Sequence, residues 1–302
     1  MQTFRFELPV DCKLPFTQET ETFMDSGLIM LPDSYSDQGE PTRLVINCHG
    51  AGGTVSTNDS QVEHQEITMY LLANGYAVMD TNGLPYRYCE RFGVDDRNNI
   101  GSPIAMDCYV NAYCYCMKNF NLKPEVFVHG GSMGGISSTN LVLSGKIPVI
   151  AHTAFCPVLD SYNEIFLHPW SGGLPKTALG FLYSFDRDEH SEWIYDDEKL
   201  KDYNPMVSTK KHPCPVWFCH SENDPIVNPE ITKAYIARAK AHGVDAELLL
   251  FPDGEHEPQT YGDPVVNPMG IATFQAESIT IMPAVESAFR WIRSHEPNNR
   301  QK

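Results

Sequence analysis

The sequence predicts an α/β protein with a mostly parallel central sheet and helices on both faces, and three observations carry that prediction. Short apolar runs ending in glycine or a turn residue alternate with longer stretches of helical apolar spacing. One of these runs leads into a serine set among glycines, "EVFVHGGSMGGISS" (Glu125 to Ser138), where a strand should give way to a helix. With 302 residues and 42% apolar content, the chain has material for a large buried core, read here as one domain over 1–302.

The elements follow in order. Leu28 to Leu31 reads as an early strand, and "RLVINCHG" (Arg43 to Gly50) as a buried parallel one. A helix over Glu63 to Asn74 leads to a strand over Tyr76 to Gly83. Apolar residues at helical spacing cover Ala105 to Asn119, and Pro124 separates that helix from the strand entering the serine turn. Gly135 to Ser144 is then helical, Ile147 to Pro157 a strand, Cys214 to Asp224 a strand, Pro229 to His242 a helix and Ala246 to Gly254 a strand. A last helix is expected over Ile281 to Ser294. Strand, helix and strand in this rhythm place the strands parallel.

One segment breaks the alternation. About 159–213 is long, aromatic and acidic, and lies between two predicted core strands, so it reads as an inserted cap. Trp170, Phe181, Tyr183 and Trp193 are candidate walls of a pocket, with Trp170, Phe181 and Trp193 taken as substrate-binding. The alternative is that these aromatics form the cap's own small core.

A formal charge of -17, from 39 acidic and 22 basic residues, disfavours nucleic acid and anionic membranes as partners. A neutral small molecule or oligosaccharide fits better, and self-association into a homo-oligomer stays open. The nine cysteines are odd in number and scattered over predicted helices (Cys108, Cys114, Cys116) and strands (Cys48, Cys219), which suits buried free thiols. Cys114-Tyr115-Cys116 lacks the two-residue spacer of a zinc pair, so no metal is expected. The amino terminus shows no basic segment followed by an apolar run, and no stretch reaches membrane-span length. The expectation is a cytoplasmic protein; a secreted form with its leader removed would read the same.

Ser132 sits in Gly130-Gly131-Ser132-Met133-Gly134, a G-x-S-x-G pattern in the strand-to-helix context that the pattern requires. A sharp turn there would project the hydroxyl above the sheet, and the helix amino terminus behind it favours developing negative charge. A serine needs a base and an acid that orients it. Among 11 histidines, His256 in "FPDGEHEPQT" follows the last predicted strand directly, whereas His242 ends a helix and His220 precedes the acid loop. Asp224 in "CHSENDPIVNPE" follows the strand before, with Glu222 and Asp160 as competitors, and Asp253 is better explained as a turn residue. The fourth part is "HGAGG" (His49 to Gly53), whose small residues would let the Ala51 and Gly52 N–H groups join that of Met133 as an oxyanion hole. A phosphate loop is the alternative, but no Gly-Lys-Ser/Thr follows, and His49 reads as a brace for the loop.

Taken together, from about Arg43 onward, these residues resemble the α/β-hydrolase superfamily. The resemblance implies that Ser132 attacks an ester or amide carbonyl, that His256 relays the proton and that Asp224 orients the histidine. It implies no cofactor. The elbow and "HGAGG" look similar to feruloyl and acetyl-xylan esterases and polyhydroxybutyrate depolymerase relatives. Prolyl-oligopeptidase-like enzymes share the order of the three residues but carry a large propeller, and only about forty residues precede the first predicted core strand. A serine at the elbow argues against dienelactone hydrolases, which use cysteine, and haloalkane dehalogenases, which use aspartate. The acidic insertion "SFDRDEHSEWIYDDEK" suits a polar, aryl or sugar-bearing substrate better than a lipid. The expectation is a serine carboxylester hydrolase for short-acyl or aryl esters of carbohydrate, with a peptidase, an acyltransferase or a non-catalytic binding protein as alternatives.

Overall fold

A computed structural model describes residues 1–55, 60–167, 174–256 and 283–297. Eight strands form one sheet: β1 (Gln2–Lys13), β2 (Thr20–Leu31), β3 (Leu44–Cys48), β4 (Ala77–Thr81), β5 (Val126–Gly131), β6 (Val149–Phe155), β7 (Val216–Ser221) and β8 (Ala246–Phe251), in the spatial order β1-β2-β4-β3-β5-β6-β7-β8. β1 and β2 pair antiparallel, as do β2 and β4, and every pairing from β4 to β8 is parallel. The helices are α1 (Gln61–His64), α2 (Glu66–Ala73), α3 (Tyr86–Phe92), α4 (Pro103–Asn119), α5 (Gly134–Ser144), α6 (Leu174–Leu182), α7 (Asp197–Leu200), α8 (Pro229–Ala241) and α9 (Pro283–Ser294).

The continuous apolar strands follow from burial on both faces of the sheet. Successive side chains point to opposite sides, so Val45, Val78 and Phe127 pack on Leu71 of α2 and on Ala288 and Ile292 of α9. Their neighbours Ile46, Met79 and Val128 pack on the other side, against Tyr109 of α4 and Leu141 of α5. Local chemistry sets the helix starts. Ser102 accepts from the Ala105 N–H at 3.2 Å ahead of Pro103, and Asn228 accepts from the Glu230 N–H at 3.1 Å ahead of Pro229.

Three features depart from the sequence reading. β1 is an edge strand with mostly exposed side chains, so it lacks the buried apolar run that marks the inner strands, yet it pairs with β2 along its whole length. The helix expected over Glu63 to Asn74 is two, because Gln65 is extended (φ -64°, ψ 136°) between α1 and α2. α3 was also not predicted. The nine cysteines are free, all but Cys114 buried. Among the described residues no helix is long and apolar enough to cross a membrane.

Between β6 and β7 the chain forms a π-helical turn (Ser161–Phe166), α6 and α7. Its aromatics pack on one another: Phe181 and Trp193 lie 5.2 Å apart, Phe16 stacks on Trp193 at 6.2 Å, and the Arg187 guanidinium covers the Trp193 ring at 3.8 Å.

Candidate active site

Five strand ends converge at the carboxyl edge of the parallel strands, where open α/β sheets bind their ligands. Ser132 follows β5, the His49-Gly50-Ala51 turn follows β3, Cys156 follows β6, Asp224 lies just past β7, and His256 lies just past β8.

Ser132 has φ 53°, a left-handed conformation that costs a non-glycine residue on the order of 1 kcal/mol or more. Neighbouring backbone holds it there. Its N–H donates to the Phe155 carbonyl at 3.0 Å, and its carbonyl accepts from the N–H groups of Gly135 and Val158 at 2.8 and 2.9 Å. Gly134 lets α5 start immediately behind: a Cβ at this position would overlap the Cys48 carbonyl at the end of β3. Gly134→Ala is therefore expected to cost about 1–3 kcal/mol or more by overpacking, lowering the midpoint of thermal unfolding. An unchanged midpoint would mean that α5 can retreat from β3 freely.

The Ser132 hydroxyl donates to His256 Nε2 at 2.9 Å, and His256 Nδ1–H donates to Asp224 Oδ2 at 2.8 Å. His256 is 20% exposed, whereas the Asp224 side chain is fully buried. That burial is tolerable because the carboxylate is saturated. Oδ1 accepts from the N–H groups of Ile226 and Val227 at 2.8 and 3.0 Å, and Oδ2 accepts a second histidine, His220 Nε2, at 3.0 Å. His220 Nε2 also faces the Val227 carbonyl at 3.2 Å, so this nitrogen carries the proton and the Thr232 hydroxyl donates to Nδ1 at 2.9 Å. Asn223 ties the acid loop to the histidine loop, its side-chain oxygen accepting from the Glu255 N–H at 3.0 Å.

Burial works against the Asp224 carboxylate, but the hydrogen bonds from His220, His256 and Val227 and the charge of His256 outweigh it, and its pKa lies well below the ordinary carboxylate value. Burial likewise opposes charge on His256. The neighbouring Cys156 sulfur and the hydrogen-bonded Asp224 carboxylate outweigh that, so its pKa is raised.

The competing acids are engaged elsewhere. Asp160 caps the π-helical turn, accepting from the Tyr162 N–H at 3.0 Å, and Glu222 faces Lys233 at 3.5 Å.

Of the three expected oxyanion donors, the structure corrects one. The Gly52 N–H donates to the Arg97 carbonyl at 3.3 Å and is not available. Among the described residues no acceptor faces the N–H of Ala51 or of Met133. His49 is buried, its ring nitrogens 3.0 and 3.3 Å from the Gly50 and Asn82 carbonyls, which fixes the loop.

Beside Ser132 and His256 lies a cavity of about 310 Å³, at the small end of ligand pockets. Ile67, Phe155 and Ile226 give it apolar wall, and Asn47, Gln61, Gln65 and Glu66 give it polar wall. His129 also lines it, its Nδ1 2.9 Å from the Thr153 hydroxyl; burial pushes its pKa down to about 3, so it is a neutral imidazole. Phe181 and Trp193, expected to bind substrate, do not line this cavity, because they are consumed in the aromatic cluster between β6 and β7. Trp170 lies outside the described residues. His220, Asn223 and Cys156 escaped the sequence reading as parts of the site; their signal was position, within a few residues of a strand's carboxyl end.

No protein-family model and no curated protein sequence matches the chain. Solved structures do. A candidate dipeptidyl aminopeptidase IV from Bacteroides ovatus is similar over 97% of this chain and 35% of its own, with TM-score 0.63 and 14% identity. Acylaminoacyl peptidase from Pyrococcus horikoshii is similar over 85% of this chain and 38% of its own, at TM-score 0.58 and 13% identity. A bacterial heroin esterase is similar over 84% of this chain and 76% of its own, at TM-score 0.56 and 18% identity. The chain thus spans little more than a third of the two peptidases. The likeness establishes the fold, which is the α/β-hydrolase fold.

Proposed function

We propose that the protein is a serine hydrolase that cleaves small carboxylic esters through an acyl-enzyme. The observation that carries this reading is the unbroken hydrogen-bonded chain from Ser132 through His256 to Asp224, with a cavity opening on the serine. Ser132 Oγ attacks the ester carbonyl while His256 Nε2 takes its proton, and the N–H groups of Met133 and Ala51 receive the oxyanion. The alcohol departs with that proton. Water then repeats the sequence on the acyl-enzyme and frees the acid.

The cavity's size supports a short acyl group or a single aromatic ring, and its amide side chains support a polar alcohol such as a sugar hydroxyl. The chain's negative charge favours an uncharged ester. Amide cleavage is the second reading, favoured by the peptidases among the similar structures, because the same three groups serve both bonds. An acyltransferase differs only in the nucleophile that resolves the acyl-enzyme.

A panel of p-nitrophenyl acetate, p-nitrophenyl butyrate, methyl ferulate, acetylated xylo-oligosaccharide and aminoacyl p-nitroanilides tests the assignment. We expect kcat/KM to be highest for the acetyl or feruloyl esters. Preference for the anilides would establish the peptidase reading, and preferential acyl transfer to an added alcohol the transferase.

A further inference from the structure

We infer that the site also binds a soft divalent cation such as zinc, held by Cys156 Sγ, His256 Nδ1 and Asp224 Oδ2, and that the bound ion switches Ser132 off. One ligand atom from each of these residues lies within 4.8 Å of the other two. The three come from the carboxyl ends of β6, β7 and β8, so the sheet assembles a set that no sequence spacing reveals. Nδ1 is the histidine nitrogen on the Asp224 side, 2.8 Å from Oδ2. Ligands at about 2.0–2.3 Å around a tetrahedral zinc stand somewhat further apart than that, so the pair must open slightly and the sulfur close in.

The donor set suits the ion. Thiolate, imidazole and carboxylate are zinc's usual ligands, and two anionic ligands cancel its charge in a largely buried setting. Cys156 and His256 line the cavity, so two of the three ligands adjoin open space, while the Asp224 side chain is fully buried behind them. His220, bonded to the same Asp224 oxygen, would orient that ligand from behind. Cys156 makes and breaks no bond in the ester chemistry, and its sulfhydryl faces the histidine loop, donating to the His256 carbonyl at 3.4 Å.

Inhibition follows from the proton balance. The metal takes the place of the Nδ1 proton, and the imidazole stays neutral by carrying its one proton on Nε2. The Cys156 sulfhydryl releases one proton to water. An Nε2–H cannot accept from Ser132, so the serine loses its base.

Binding is tested apart from activity, because only the inhibition rests on the hydrolase reading. In a Cys114→Ser background, which removes the exposed thiol, one equivalent of cadmium should produce an ultraviolet thiolate-to-metal charge-transfer band that zinc displaces. Cys156→Ala should abolish the band, and Ser132→Ala should keep it. Zinc should inhibit p-nitrophenyl acetate hydrolysis reversibly, with EDTA restoring activity, and Cys156→Ala should raise the inhibitory midpoint at least about tenfold, the loss caused by removing even an outer partner. If Cys156→Ala does not fold, Asp224→Asn serves in its place and should weaken cadmium binding. Absence of the band, or a band and midpoint unchanged in these variants, overturns the inference. A cadmium band in a protein inert towards every ester and amide would instead overturn the hydrolase reading and leave the metal site standing.

Discussion

Ser132→Ala is expected to lower kcat/KM for p-nitrophenyl acetate by about four to six orders of magnitude while the protein stays folded. The size follows from what the hydroxyl does. Among the described residues no other nucleophile is bonded to His256 Nε2, so removal of Oγ leaves only binding and the backbone donors, which still offer modest acceleration over water. The fold should survive because the strained position is held by backbone contacts with Phe155, Gly135 and Val158, which the substitution leaves in place. Alanine tolerates the left-handed φ at a cost of about 1 kcal/mol. Turnover and thermal unfolding measured on one preparation separate the two effects. Turnover near the wild-type rate would place the reaction elsewhere.

Asp224→Asn is the second large effect, with an expected loss of about 10³- to 10⁴-fold in kcat. Asparagine can present its N–H₂ to His256 Nδ1 and so favour the tautomer with the proton on Nε2, which is the wrong one for a base. The pH profile adds a signature that misfolding would not give. His256 must be neutral to accept the serine proton, so activity rises with pH as the imidazolium deprotonates. Against the pull of burial, the Cys156 sulfur and the Asp224 carboxylate raise its pKa, so the ascending limb should lie above the ordinary imidazole value. Without the carboxylate that limb should move down. With EDTA present throughout, a limb that stays in place would show that Asp224 does not act on His256.

How much of this was legible in the sequence depends on range. β3, β5, β6 and β7 stand out because burial on both faces demands near-continuous apolar runs, interrupted only by single buried polar residues or a short pair such as His152-Thr153. β1 does not, since an edge strand with exposed side chains needs no such run. Within the site, Ser132, Asp224 and His256 each carry a local marker: glycines around the serine, Pro225 after the aspartate, and Asp253-Gly254 before the histidine. Those markers locate strand ends, and the fold brings strand ends together.

What failed to show were contacts between distant segments. Nothing near Gly52 announces that the Arg97 carbonyl takes its N–H. Phe181 and Trp193 look like pocket walls until Phe16, from the amino-terminal hairpin, completes their cluster. His220 bonds Thr232, Asp224 and Val227, and its bond to Asp224 depends on how the loop after β7 folds back. Cys156 was one thiol among nine until β6 and β8 placed it beside His256.

The central claim is that Ser132 is a nucleophile activated by His256. Labelling the folded protein with a fluorophosphonate and mapping the adduct by mass spectrometry tests it most directly, because that reagent needs an activated serine and no knowledge of the natural substrate. We predict one phosphonyl group per chain, on the peptide containing Ser132, with labelling abolished in Ser132→Ala and strongly slowed in His256→Ala. Folded protein that takes up no label, or takes it up at another residue, would contradict the account.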